Sequence, residues 1–220
     1  MICWSCQKAA GAGVLCAACG AVQPPDPQAD YFQVVGIPCA FAVDEAELER
    51  RYKELTKILH PDRFVRSDAR ARRASLERSV QLNEAWRNLK DPVRRAEYLL
   101  SLHGIDVGER VGPGEQGKRN EQKTLPVPPV LLMEVLELRE ALAAAHAARD
   151  VHETEALIAK VRRRLDEVMG DVAKGFAVAP PDLTTIAARL VAVRYYRRFL
   201  DEARLMWEQD GGGGDLGRAG

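Results

Sequence analysis

This sequence has no excess charge of either sign. Its 220 residues hold 32 lysines and arginines against 32 aspartates and glutamates. A neutral chain has no long-range pull toward nucleic acid or anionic lipid, which argues against a global electrostatic binder. No run of about 18 apolar residues occurs, so no transmembrane helix is expected. The opening Met1-Ile2-Cys3-Trp4-Ser5-Cys6 lacks the charged and apolar stretches of a secretory signal, and a cytoplasmic protein is expected. Alternating β-branched stretches are scarce, whereas Ala, Leu, Glu and Arg tracts are long. The expected fold class is therefore all-α, in one or two domains.

Cysteine is sparse, at five residues, but four of them are patterned: Cys3-x2-Cys6-x9-Cys16-x2-Cys19, followed by Gly20. Two CxxC turns can each bring two thiolates to one ion, closing a tetrahedral site with no open position. Such an ion supports folding rather than catalysis. Residues 1–23 have too little apolar surface to fold unaided, so the metal would supply much of their stability. Zinc is the favoured ion, although four thiolates also suit iron, and two disulfides or free thiols are the plainer alternative. Cys39 stands alone and reads as a small buried residue. Pro24-Pro25-Asp26-Pro27 reads as a stiff linker at a module boundary.

Asp30 to Ile37 reads as a short helix ending at Gly36. Asp44-Glu45-Ala46-Glu47 reads as a capping box opening a second helix, in which Leu48, Tyr52, Leu55 and Leu59 form an apolar stripe. Arg50, Arg51, Lys53 and Lys57 make its remaining surface basic. That helix runs into His60-Pro61-Asp62. Proline fixes its own φ and disfavours helix at His60, so the chain turns there, and Asp62 offers a carboxylate to backbone N–H groups. A third helix, from about Asp68 to Leu89, repeats the helical spacing at Leu82, Ala85, Trp86 and Leu89. By itself a His-Pro-Asp tripeptide is a polar turn.

Two helices flanking His-Pro-Asp, entered through Asp30-Tyr31-Phe32 and Gly36-Ile37-Pro38, resemble the J domain, which activates DnaK-type chaperone ATPases. The resemblance implies a helical hairpin presenting His60, Pro61 and Asp62 to such a chaperone, with Tyr52 and Lys53 as further contacts. Asp91-Pro92 opens another helix, and Arg95-Ala96-Glu97-Tyr98-Leu99-Leu100-Ser101-Leu102-His103-Gly104 is similar to the end of the J domain in the HscB family of iron–sulfur co-chaperones. Family J domains often have Tyr and Lys flanking the tripeptide; Leu59 and Arg63 stand here. Residues 30–105 are thus expected to be the J domain, and the Gly- and Pro-rich residues 106–129 a linker.

Residues 130–208 read as three amphipathic helices forming a bundle, and 209–220 as a flexible tail. Leu131, Val135, Leu138, Leu142 and Ala145 form the first core stripe. In the second helix the stripe is Leu157, Val161, Leu165 and Val168, behind an Asp150–Glu153 capping box, with Gly170, Gly175 and Pro180-Pro181 ending the run. In the third it is Leu183, Ile186, Leu190, Val193 and Leu200, behind an Asp182 cap. Leu132 and Leu136 lie about 100° to 140° from Leu131, and Phe199 about 160° from Leu183, so these three are surplus to the stripes. The bland reading is a wider core; the alternative is apolar anchors for a partner. The run Leu131 to Glu140 closely resembles the first bundle helix of HscB, a face that in that family binds the scaffold on which clusters are built. The resemblance implies scaffold contacts at Leu132, Leu136, Glu137, Glu140 and Phe199; the family's next acidic position reads Ala144 here.

Taken together, the sequence implies a co-chaperone rather than an enzyme, with a structural zinc. Its implied partners are a DnaK-type (HscA-like) chaperone and an iron–sulfur scaffold (IscU-like) protein. The rivals are a general J-domain co-chaperone for other clients and a redox- or metal-sensing tetracysteine protein. A His60/Asp62 metal hydrolase lacks further ligands nearby, and a nucleic-acid finger would have only Lys8 as a cation in the cysteine segment.

Overall fold

The computed structural model describes residues 1–107 and 127–209. Among these residues the regular structure is helical, apart from two isolated bridges, Ile2 with Ala9 and Leu15 with Val22. The all-α expectation holds, and no described helix is long and apolar enough to cross a membrane. Most of the linker expected over 106–129 and of the tail expected over 209–220 lies outside the described residues. The chain divides into two compact units, Met1–Arg95 and Ala96–Gly220.

In the first unit the cysteine segment precedes α1 (Tyr31–Val35), α2 (Glu45–Leu59), a 3-10 turn (Pro61–Phe64) and α3 (Ala69–Lys90). A reciprocal capping box opens α1: Asp30 accepts from the Gln33 N–H and Gln33 returns the bond to Asp30. Asp44 caps α2 by accepting from Ala46 and Glu47. The return arm expected from Glu47 is taken up elsewhere, because its carboxylate binds Arg50 and Arg51. Those hydrogen bonds hold the Glu47 carboxyl down at about 2.

Phe32 and Val35 of α1, Leu48 and Leu59 of α2, and Ala71, Ala74, Leu82, Ala85 and Leu89 of α3 form the buried interior. Each buried leucine contributes about 1.5–3 kcal/mol from burial. Cross-contacts fix the helix directions. Leu59 meets Ser75 and Ser79, while Tyr52, two turns earlier, meets Asn83 and Trp86. Numbers fall along α2 as they rise along α3, so the two form an antiparallel hairpin with His60 at its bend.

The helix α4 (Pro92–Leu102) follows, capped by Asp91, and the division between the units falls within it. The second unit holds the rest of α4 and a three-helix bundle of α5 (Pro129–Ala147), α6 (Val151–Ala177) and α7 (Leu183–Gln209). The expected stripe of α5 is buried throughout. One carboxylate ties all three bundle helices together. Glu134 of α5 accepts from the Tyr196 hydroxyl of α7 at 3.0 Å and faces Arg164 of α6 at 3.6 Å. Burial, followed by that carboxylate, pushes the Tyr196 phenol up to about 12. Arg139 pairs with Glu202 at 3.0 Å, Arg189 with Asp171, and Arg194 with Glu97 of α4 at 3.1 Å.

Neither Gly170 nor Gly175 ends α6, contrary to the expectation from sequence; the helix runs through both to Ala177. A Cβ at Gly175 would lie 2.8 Å from Cγ1 of the buried Ile186, so this glycine provides room for α7. Gly170 is exposed with nothing within 4 Å. Gly175→Val is therefore expected to destabilise the bundle by about 1–3 kcal/mol through overpacking. Gly170→Ala is expected to stabilise it by about 0.5–1 kcal/mol. Thermal unfolding of the two variants should move in opposite directions; equal shifts would contradict this packing.

Candidate functional site

The tripeptide is built from a helix that stops. α2 ends at Leu59, and His60, at φ −54° and ψ 125°, leaves the helical region as its proline neighbour requires. The Leu59 carbonyl is left without its usual helical partner and accepts from the hydroxyls of Ser75 (2.7 Å) and Ser79 (3.1 Å) on α3. Pro61 begins the 3-10 turn, where the missing N–H costs nothing. The Asp62 N–H donates to His60 Nδ1 at 3.3 Å, and Arg63 N–H to the His60 carbonyl at 3.0 Å. The acceptor in this turn is thus the imidazole, whereas the Asp62 carboxylate had been expected to serve. That carboxylate is 84% exposed and lies 3.6 Å from His60 Nδ1. His60, Pro61 and Asp62 all face solvent.

Tyr52 and Lys53 sit differently. The Tyr52 ring stacks on Trp86 with centroids 4.4 Å apart, and its hydroxyl donates to Asn83 at 3.0 Å. It is a half-buried strut of the hairpin. Lys53 is exposed and pairs with Glu49 at 2.6 Å. Arg50 and Arg51 are likewise paired, with Glu47 and Glu54, so the α2 surface is less basic than its cations suggest. Exposed pairs of this kind are weak and can be exchanged for a partner's carboxylates. Sequence reading missed Ser75 and Ser79, whose i, i+4 spacing on one face of α3 was the available signal.

The four cysteines converge. Cys3 Sγ lies 3.7 Å from Cys19 Sγ, Cys6 Sγ lies 3.8 Å from Cys16 Sγ, and all four sulfurs are within 4.8 Å of one another. A tetrahedral ion with metal–sulfur bonds of about 2.3 Å needs sulfurs about 3.8 Å apart, so the donor set fits. None of the five cysteines forms a disulfide. The two halves repeat one design. Gln7 and Gly20 take positive φ, their N–H groups bond the Cys3 and Cys16 carbonyls, and Ser5 and Ala18 donate to the Cys3 and Cys16 sulfurs. Burial raises the Cys3 thiol, but N–H donors from Cys6 and Ser5 and the thiols of Cys16 and Cys19 outweigh it and bring it down to about 6. This cluster can hold a metal ion. Cys39, expected to be buried, is exposed.

On α5, Leu132 and Leu136 are 46% and 58% exposed, and Glu137 and Glu140 are also exposed. Val130 and Met133 extend the apolar face, at 78% and 64%. Sequence reading omitted these two, although both fall on the arc opposite the Leu131 stripe. Phe199 departs from expectation: it is completely buried and cannot be a surface contact in this conformation. The buried face of α7 drifts round the helix, from Ile186, Leu190 and Val193 to Tyr196, Phe199 and Ala203, whereas a single straight stripe had been assumed.

Comparison with known proteins agrees with this arrangement. Residues 30–98 match the DnaJ domain, and residues 127–204 match the HSCB C-terminal oligomerisation domain. The iron-sulfur cluster co-chaperone protein HscB of Mus musculus is 31% identical over 208 residues, spanning 92% of this chain and 81% of its own. The human protein of the same name is 30% identical over 207 residues, with the same coverage. The crystal structure of human co-chaperone protein HscB gives a TM-score of 0.78 at 29% identity, covering 93% of this chain and 98% of that one. Chaperone HscB from Vibrio cholerae gives 0.68 at 28%, covering 82% and 99%. A hairpin displaying His-Pro-Asp, joined in sequence to a three-helix bundle, defines a J-domain co-chaperone. The chain belongs to the HscB family of iron–sulfur cluster co-chaperones.

A thiol must lose its proton to bind metal, so affinity falls as pH falls. Cys3 is held down at about 6. The Lys8 N–H lowers the neighbouring Cys6 thiol, but burial and the other three thiols outweigh it and push it up to about 11, so the four thiols together still hold protons at neutral pH that a metal must displace. Metal affinity should therefore fall continuously as pH falls through the neutral range, as read by competition with a chromophoric chelator. A flat profile between pH 5 and about 7 would contradict ligation by these thiolates.

Proposed function

We propose that this chain brings an iron–sulfur scaffold (IscU-like) protein to a DnaK-type (HscA-like) chaperone and stimulates that chaperone's ATPase. The observation that carries the reading is the exposed His60-Pro61-Asp62 turn at the bend of a hairpin whose helix end is held by two serines. The chaperone head is His60, Pro61 and Asp62, with Lys53 about two turns earlier on the exposed surface of α2. Tyr52 supports this head through its stack on Trp86. In this reading the bond is broken in the chaperone, and this protein acts as a co-chaperone rather than as an enzyme.

The scaffold head is the α5 face of Leu132, Leu136, Glu137 and Glu140, extended by Val130 and Met133. Apolar anchors beside acidic residues suit a partner patch that is apolar at its centre and basic at its rim. Phe199 is not part of this surface; it backs the bundle from inside. Holding both partners at once raises the scaffold's local concentration at the chaperone. The cysteine module carries a structural zinc ion in this reading, and the compartment is the cytoplasm.

His60→Gln should abolish ATPase stimulation and leave scaffold affinity unchanged; stimulation that survives would refute the tripeptide's role. Leu132→Ala with Leu136→Ala should do the reverse, costing roughly 1–2 kcal/mol of scaffold affinity per leucine in a titration. Unchanged affinity would remove α5 as the docking face.

A further inference from the structure

The cysteine module is not a free appendage within its unit. Pro24-Pro25-Asp26-Pro27 reads in sequence as a stiff spacer, yet α3 grips it. Arg78 donates through Nε to the Gln23 carbonyl at 2.7 Å and through Nη2 to the Pro24 carbonyl at 3.0 Å. Gln81 reaches the Asp26 carbonyl at 3.3 Å, and the Arg70 guanidinium lies 5.1 Å over the ring of Trp4. Trp4 is itself fastened through Nε1 to the Val22 carbonyl at 2.7 Å. Arg70, Arg78 and Gln81 fall within about 80° of one another on α3.

Gln23 stands where the two parts join. Its side chain is 1% exposed, and Nε2 donates to Cys3 Sγ at 3.3 Å and to the Ala21 carbonyl at 2.8 Å. One residue therefore touches a metal-ligand sulfur with its side chain and α3 with its main chain. On α3, Arg78 adjoins Ser79, which with Ser75 holds the Leu59 carbonyl immediately before His60. A continuous set of hydrogen bonds and one helix thus connects Cys3 to the start of the exposed tripeptide.

We propose that the metal-loaded cysteine module braces the hairpin: Gln23 and Arg78 couple occupancy of the four-cysteine site to the order of α3, and α3 passes that order to the end of α2 at Leu59. The proposal rests on the reading that the four cysteines hold a metal ion. A module this small folds with its metal. When the ion leaves, the carbonyls of Gln23 and Pro24 are no longer fixed and Arg78 loses its two acceptors. The Gln23 side chain acts in the other direction, as an N–H donor that helps neutralise a site of four thiolates and orients Cys3.

The test uses the full chain, loaded with zinc or stripped by a chelator under reducing conditions, with bound zinc measured by elemental analysis and amide hydrogen exchange followed across the chain. Stripping the wild type should accelerate exchange several-fold along α3 and at residues 57–63, while α5, α6 and α7 stay unchanged. Arg78→Ala should keep its zinc yet show much of the stripped pattern in α3 already when loaded, and chelation should change α3 less than in the wild type, because only the Gln81 and Arg70 contacts remain to be lost. Arg78→Lys, which retains one donor, should fall between the two and serves if the alanine variant does not fold. Gln23→Met keeps the carbonyl that Arg78 binds, so it should weaken zinc binding about 10–100-fold while leaving α3 protected as long as zinc is present. Acceleration confined to residues 1–23 on stripping overturns the coupling, as does an Arg78→Ala chain whose α3 responds to chelation like the wild type. A chain that binds no zinc overturns the metal reading and the coupling with it.

Discussion

A single backbone carbonyl carries much of this structure. The helix entering His60-Pro61-Asp62 has to stop, because the residue before a proline is pushed out of the helical region. Stopping leaves the Leu59 oxygen without a helical donor in a residue that is otherwise buried. Leaving such a group unpaired would cost on the order of 1–3 kcal/mol. Ser75 and Ser79 meet it from α3, and so fix where α2 ends relative to its neighbour. The Tyr52–Trp86 stack fixes the same pair two turns further back. With both ends of the contact set, the tripeptide is held in place yet remains exposed.

Around that constraint the chain divides its chemistry. The hairpin presents the polar groups that the proposed function assigns to another protein's nucleotide cycle. The α5 face presents apolar side chains suited to holding a second protein, on a helix anchored by Glu134 to both of its neighbours. The cysteine cluster can hold a metal ion in a segment whose own buried interior is small, and the last residues of that segment are seated on α3. Charge plays a modest part. Most α2 cations are already matched by carboxylates one turn away, which leaves shape, burial and hydrogen bonding as the main determinants.

Local patterns were the most legible part of the sequence. Helix positions followed from apolar spacing and caps, and the α5 core stripe was read correctly position by position. The cysteine pairs and the tripeptide are defined by short spacings, so their residues could be named without coordinates. What failed depended on contacts between elements. Phe199 is surplus to a single straight stripe on α7, and only the family resemblance places it on the scaffold face; the buried face of α7 rotates along its length and takes it into the core. Gly175 was read as a helix breaker because its neighbour, Ile186, comes from another helix. Ser75 and Ser79 attracted no notice because their partner is a backbone oxygen 16 and 20 residues away. The seat of Pro24 on Arg78 spans 54 residues, beyond the reach of any local rule.

The central claim is that an ordered hairpin end, and not merely the presence of the three residues, makes the tripeptide effective. A double variant, Ser75→Ala with Ser79→Ala, tests this most directly. It is measured as single-turnover stimulation of a DnaK-type ATPase, with circular dichroism as the control for retained helix. The account expects stimulation to fall several-fold while helix content and scaffold binding persist. Undiminished stimulation in a chain whose Leu59 carbonyl has lost both hydroxyls would contradict it.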